Sequence, residues 1–205
     1  MAQGLHINMH YWLLYGLPVW IVLRSIILFI KKLLKKQFKL KQEFIFNIFV
    51  LYIFVLIGIT LFPIDIYWVK QIYYSKPSIQ FIPILDIIKV ARRIDSISSF
   101  KIFSANLLGN ILITVPIGIF PPILWKRKFT KLKSVTLLAL LISLAIEVLQ
   151  YLEGIIFPSL IPRICDINDI IINVIGTILG YFIYSNLFNN KYKLSDESNL
   201  KNKFQ

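Results

Sequence analysis

The stretch from Phe44 to Pro63, FIFNIFVLYIFVLIGITLFP, decides the fold class, because it is almost entirely apolar and contains no charged side chain. A helix of about 20 apolar residues is long enough to cross the roughly 30 Å hydrocarbon core of a bilayer. A helix also bonds its backbone polar groups internally, which a segment surrounded by lipid requires. The stretch therefore predicts a transmembrane helix.

Four more apolar runs of similar length lie at about residues 11–30, 106–125, 134–151 and 166–187. The 205 residues are 57% hydrophobic with a mean hydropathy of +0.71, whereas a soluble domain is usually about 45–50% apolar. We therefore predict an all-α integral membrane protein with about five transmembrane helices. The first run contains Pro18 and Arg24, so the sequence leaves open whether it crosses, and Arg24 is expected to snorkel or to pair.

Basic residues are concentrated in alternate connections between the apolar runs. Six lysines lie between residues 31 and 43, five basic residues lie between 126 and 133, and four follow residue 187. The much longer segment 63–105 carries six. Since cytoplasmic loops are enriched in Lys and Arg, we predict the N-terminus outside and the C-terminus inside. If the first run does not cross, the N-terminus moves inside and the other four spans keep their orientation.

The chain divides into three predicted regions. These are an N-terminal two-helix membrane region with a basic cytoplasmic loop (1–60), a membrane domain (61–187) and a polar cytoplasmic tail (188–205). Within the domain, the segment Ile79–Val90, IQFIPILDIIKV, is too short to span and too apolar for a free loop. It predicts a re-entrant or interfacial segment against the outer headgroups.

The net charge of +13 is explained by this topology, because basic loops orient the spans and contact anionic lipids. Membrane lipids are therefore the expected partners. We expect no nucleic-acid partner, since no platform of stacking and basic residues is visible.

Cys165 is the single cysteine, so an internal disulfide is impossible. His6 and His10 lack a third ligand nearby, so no metal site is predicted, and the sequence leaves the cofactor undetermined.

Three groups of polar residues lie within or beside the predicted spans, where a central Asp, Lys or Arg costs roughly 2.5–3.5 kcal/mol. The first group is Asn106, Asn110 and Thr114, which recur every four residues and form one stripe on the third span. These amides either bond across a helix–helix interface or bind a substrate. Pro116 and Gly118 follow in the same span as structural residues.

The second group is Ser143, Glu147 and Gln150, which share one face of the fourth span. Glu147 has apolar neighbours in the sequence, so its carboxyl is expected to be paired or protonated. A structural salt bridge to Arg163 and a functional role account for it equally well.

The third group lies in RICDINDIIINVIG, residues 163–176. Helical spacing relates Asp166, Asp169, Asn173, Gly176 and Gly180. An aspartate at a helix start suits an N-terminal cap and the helix dipole, but a cap explains only one of the two aspartates. Gly176 and Gly180 form a small-xxx-small pair, which allows another helix to approach closely.

By the charge rule, all three groups lie at the outer ends of their helices. They therefore predict a polar pocket in the outer leaflet, built from the third, fourth and fifth spans, with a purely structural polar core as the alternative. Such a pocket suits a lipid-linked or extracellular substrate better than a cytosolic one. Asp65, at the outer end of the second span, is a candidate for the pocket rim.

Five motifs in order resemble the VanZ-like family and cover about Leu61 to Leu187. They are LFPID (61–65), IQFIPI (79–84), NLLGNILITVPIG (106–118), IEVLQ (146–150) and RICDINDIIINVIG (163–176). The chain departs from the family pattern at Gln80, where Asn is common, and at Ile84, where an aromatic residue is common.

The resemblance implies a multi-pass protein of the bacterial cytoplasmic membrane. The namesake of the family is associated with resistance to the glycopeptide antibiotic teicoplanin. The family's motif residues correspond in this chain to Asn106, Asn110, Pro116, Gly118, Glu147, Gln150, Arg163, Asp166, Asp169, Asn173 and Gly176.

Three functions remain open at this point. The first is a non-enzymatic envelope protein that binds a lipid-linked wall precursor or a lipoglycopeptide. The second is an integral membrane enzyme that modifies a lipid-linked substrate, with Glu147, Asp166 and Asp169 as acid, base or cation ligands. In either case the expected binding residues are Asn106, Asn110, Gln150, Arg163 and Asn173. The third is a small transporter, which the lack of an internal repeat disfavours.

Overall fold

Five helices form the framework of the computed structural model, which describes residues 4–35, 39–67, 76–82, 97–157 and 163–189. They are α1 Met9–Leu33, α2 Leu40–Leu61, α3 Ile97–Leu124, α4 Leu132–Ile156 and α5 Ile167–Tyr184, which continues into the π-helical turn Ser185–Asn189. All five are long and apolar enough to cross a membrane. The prediction of an all-α membrane protein with about five spans is therefore confirmed.

The first apolar run is one continuous helix, so Pro18 does not interrupt it. Arg24 is buried within α1 and forms an ion pair with Glu43 near the start of α2. Glu43 also accepts a hydrogen bond from Lys31 Nζ at 2.6 Å, and the Arg24 guanidinium lies 4.8 Å from the ring centre of Phe46. Of the two alternatives for Arg24, the structure shows pairing, which compensates the buried cation.

In the described residues, four short strands, which the sequence did not predict, accompany the helices in two ribbons. β1 (Gly4–Ile7) pairs antiparallel with β2 (Ile64–Tyr67), and β3 (Ser78–Gln80) pairs parallel with β4 (Ile164–Asp166). Each strand adjoins a helix end, or a connection, that the charge rule places outside. β3 overlaps the start of the predicted interfacial segment, whose residues 83–90 fall outside the described part of the chain, as does the tail from residue 190.

The chain forms two compact units. The first contains Met1–Pro83 and Leu144–Ile167, and therefore holds all four strands, α1, α2 and the second half of α4. The second contains Ile84–Ser143 and Asn168–Gln205, and therefore holds α3, the first half of α4 and almost all of α5.

Buried apolar side chains are concentrated in the second unit. Ile117 of α3, Val135 and Ala139 of α4, and Ile172 of α5 are buried there. Large apolar side chains are exposed along all five helices, as expected for helices whose outer surfaces contact lipid rather than water.

Candidate functional site

In the second unit, the first predicted polar stripe is bonded to the start of α5. Asn110 Nδ2 donates a hydrogen bond to Asp169 Oδ1 at 2.9 Å. Asp169 stands in the first turn of its helix, where a carboxylate interacts favourably with the helix dipole. Asn106, one turn before Asn110, is exposed and takes no part in this contact. The bond joins α3 to α5. It is a hydrogen bond across a helix–helix interface, which was one of the two roles expected for these amides.

Deeper in the same unit, hydroxyl and amide groups connect α3, α4 and α5. Asn173 Nδ2 donates to Ser143 Oγ at 3.0 Å, and both side chains are buried. Thr177 Oγ1 lies 3.1 Å from the carbonyl oxygen of Asn173 and 3.3 Å from that of Thr114. These polar groups therefore bond to one another in a region from which lipid is excluded.

Three predicted structural glycines bring the backbones of α3 and α5 together. A Cβ atom at Gly118 would overlap the carbonyl oxygen of Thr177, and one at Gly180 would overlap that of Val115. A Cβ at Gly176 would overlap the carbonyl oxygen of Ile111. The helices thus meet through backbone atoms at these three positions, which is the packing that small-xxx-small spacing predicts.

In the first unit, the carboxylate of Glu147 supports the junction between β4 and α5. Its Oε2 atom accepts a hydrogen bond from the backbone N–H of Asp166 at 2.9 Å, and the side chain is only 1% exposed. Asp166 is the last residue of β4, and Ile167 begins α5. The bond therefore satisfies a backbone donor at the start of a helix, where intrahelical acceptors are lacking.

Arg163 connects two parts of the first unit. Its Nη2 atom donates to Glu153 Oε1 at 3.1 Å and to the carbonyl oxygens of Leu61 and Pro63, each at 3.2 Å. Gln150 Nε2 donates to the carbonyl oxygen of Thr60 at 2.7 Å. Two of these bonds hold the end of α2, where the last carbonyl groups have no partner within the helix, and the bond to Pro63 holds the residue that follows.

Asp65, the candidate for a pocket rim, lies on the β1–β2 ribbon of the first unit. It is the register partner of His6, and the two side chains are in contact through His6 Nδ1 and Asp65 Oδ1. His6 stays largely exposed, whereas Asp65 is mostly covered. The ribbon therefore carries an ionisable pair beside the end of α2.

The residues predicted for one pocket are divided between the two units. Glu147, Gln150, Arg163 and Asp166 belong to the first, and Asn106, Asn110, Asp169 and Asn173 belong to the second. Within the described residues, no group of three or more His, Cys, Asp or Glu side chains is arranged to hold a metal ion. The roles of these residues in binding or catalysis stay predictions.

Three buried or bonded polar residues are not among the predicted site residues. Glu153, the partner of Arg163, lies three residues after Gln150 on the same helix face, and Thr177 lies four residues after Asn173. Extending each helical stripe by one turn would have found both. Asn168, which is also buried, has no such spacing signal.

Comparison with protein families gives a match that covers most of the chain. The sequence profile of the VanZ/LLP1 family matches residues 49–189, a range that includes α3, α4 and α5 completely. No curated protein and no solved structure gives a significant match. Because the matched range exceeds half of the chain, this protein belongs to the VanZ/LLP1 family.

Proposed function

We propose that the protein is a non-enzymatic envelope protein of the bacterial cytoplasmic membrane, which binds a lipid-linked molecule in the outer leaflet. The molecule is a lipid-linked wall precursor or a lipoglycopeptide of the teicoplanin type, and its capture lowers susceptibility to the drug. One observation carries the proposal. The polar residues of the first unit hold backbone groups at the helix ends that the charge rule places outside.

The hydrogen bonds of the candidate carboxylates favour binding over catalysis. A general acid or base has to lie within hydrogen-bond reach of the proton that it transfers. Glu147 accepts the backbone N–H of Asp166, and Asp169 accepts the amide of Asn110. Each carboxylate thus stabilises a local backbone or helix contact, a role that does not require proton transfer.

Teicoplanin susceptibility tests the proposal directly. A sensitive Gram-positive host would carry empty vector, the wild type, Glu147→Gln or Asp166→Asn, at matched levels of membrane protein. We expect the wild type and Glu147→Gln to protect, because the glutamine side chain keeps an oxygen that accepts the Asp166 N–H. Asp166→Asn should also protect, since the observed bond uses the backbone of that residue.

Either failure has a definite meaning. Loss of protection in both isosteric variants, at unchanged membrane levels, would favour the enzyme alternative with Glu147 and Asp166 in catalysis. Absence of protection by the wild type would remove the drug from the proposed function of this member.

Glu147→Ala is expected to destabilise the junction between β4 and α5. Removing the acceptor leaves the N–H of Asp166 without this partner, and an unsatisfied buried group costs about 1–3 kcal/mol. We expect a lower thermal unfolding midpoint in detergent than for Glu147→Gln, measured on the purified full chain. Equal midpoints for the two variants would contradict this role of the carboxylate.

A further inference from the structure

An open apolar groove lies in the first unit, along the half of α1 that the charge rule places outside. Its volume is about 770 Å³, and α1, α2, β1 and β2 contribute to its walls. This volume is within the roughly 300–1,000 Å³ range of small-molecule sites. None of the residues predicted from the sequence as catalytic or binding lines this groove.

One face of α1 forms the long wall of the groove. Tyr11, Tyr15, Val19 and Leu23 recur every four residues along it and are all exposed. Since each residue adds about 1.5 Å, the wall from Tyr11 to Leu23 is about 18 Å long. That length is close to one leaflet of the hydrocarbon core, which is roughly 15 Å.

The floor of the groove is fixed by contacts between α1 and α2. Trp12 Nε1 donates to the carbonyl oxygen of Phe54 at 3.0 Å, and the two rings lie 5.2 Å apart. A Cβ atom at Gly16 would lie 2.6 Å from Phe54 Cε1, so the missing side chain leaves room for that ring. The floor is therefore held by packing within the protein and does not depend on a ligand.

The dimensions favour a hydrocarbon chain over a helix as the occupant. A helix about 10 Å in diameter and 18 Å long fills on the order of 1,400 Å³, nearly twice the groove. A single extended acyl chain is thinner and reaches the same depth. The groove also opens on a helix whose other side chains face lipid, so a chain can enter from within its own leaflet.

His6 stands at the end of the groove formed by the β1–β2 ribbon, where the other lining residues, Leu5, Ile7 and Ile64, are apolar. Among the described residues that line the groove, His6 carries the only imidazole. Asp65 contacts His6 at Nδ1 and thereby orients the imidazole, so a hydrogen bond to a headgroup would involve Nε2. An apolar channel of one-leaflet length with an oriented imidazole at its outer end matches the chemistry of an amphiphile.

We propose that this groove binds one acyl chain of an outer-leaflet amphiphile, with the polar headgroup of that molecule at His6. This inference rests on the proposed function, because it names the place where the apolar part of the lipid-linked molecule lies. It assigns recognition of that part to α1, all of which precedes the range matched by the family profile.

Photolabelling of the full chain tests the groove. The protein would be reconstituted in phosphatidylglycerol vesicles containing a trace of phospholipid with a diazirine at the end of one acyl chain, and labelled residues would be mapped by mass spectrometry. Val19→Trp narrows the groove, and Val22→Trp is the matched control. The two valines are 58% and 59% exposed on the same helix, and Val22 lies outside the lining.

In the wild type, label is expected on the groove face of α1, around Trp20 and Leu23, with several-fold less on the opposite face. Val19→Trp should reduce the groove label several-fold, whereas Val22→Trp should leave it unchanged. A second probe with the diazirine next to the acyl carbonyl should shift the label to Leu5 and Tyr11.

Uniform labelling around α1 in the wild type would overturn the inference, because ordinary contact with bulk lipid has no preferred face. A disulfide between two copies that carry Val19→Cys would assign the groove to a second chain instead. The drug assay separates the two proposals. Selective labelling without protection removes the drug from the proposed function and leaves the groove in place, whereas protection without selective labelling overturns the groove alone.

Discussion

Gly118→Ala is expected to disrupt the packing of α3 against α5 and to abolish most of the folded protein in the membrane. A Cβ at this position would overlap the carbonyl oxygen of Thr177 and lie 2.5 Å from the backbone nitrogen of Tyr181. These are backbone atoms of a helix and cannot rotate away. Overpacking usually costs 1–3 kcal/mol, and we expect about 3 kcal/mol here, because both helices would have to separate.

Gly109→Ala provides the control for this substitution within the same helix. An added Cβ at Gly109 meets no atom within 4 Å, and alanine has the higher helix propensity, so stability should stay within about 1 kcal/mol of wild type. The measurement is the thermal unfolding midpoint of purified protein in detergent, together with the amount in membranes. Similar midpoints for the two variants would show that the close approach of α3 and α5 at Gly118 does not exist.

Arg163→Met is expected to cause the second-largest loss of folding stability. The variant removes hydrogen bonds to the carbonyl oxygens of Leu61 and Pro63 and leaves Glu153 without its cation. Breaking a buried ion pair costs about 3–5 kcal/mol. Because the Arg163 side chain is 27% exposed, we expect about 2–3 kcal/mol. Arg163→Lys should retain only part of this stability, since an ammonium cannot reproduce the planar fork of a guanidinium.

A double variant separates the two effects of Arg163. Arg163→Met combined with Glu153→Gln removes the uncompensated carboxylate while the lost bonds to α2 stay lost. We expect it to be more stable than Arg163→Met alone, by thermal unfolding in detergent. Additive losses from the two substitutions would mean that no ion pair couples these residues.

The helices and much of their packing follow from simple regularities in the sequence. Each span is a long apolar run, and length and composition alone identify such runs. Helical spacing predicted the close approach at Gly176 and Gly180, and it placed Asn110 and Asp169 each in a polar stripe, but it did not predict that these two residues bond to each other.

The ribbons and the partner of Arg163 depend on information that periodicity does not contain. β3 and β4 are three residues long, too short to show the alternation that identifies a strand. Helical spacing assigns Glu147 and Glu153 to α4, but it does not specify which carboxylate meets a residue beyond the end of that helix. The charge rule placed the predicted pocket residues at the outer ends of their helices. It contains no information on the compact unit to which each residue belongs, and these residues are divided between two units.

The ion pair between Arg24 and Glu43 has a consequence for how the protein enters its membrane. During synthesis α1 emerges before α2, so Arg24 reaches the translocation machinery while its partner is still on the ribosome. An unpaired arginine at the centre of a span costs roughly 2.5–3.5 kcal/mol on insertion, and Glu43 lies only 19 residues further along the chain. The two segments are therefore expected to enter the bilayer as a hairpin, with the cation already neutralised when it leaves water.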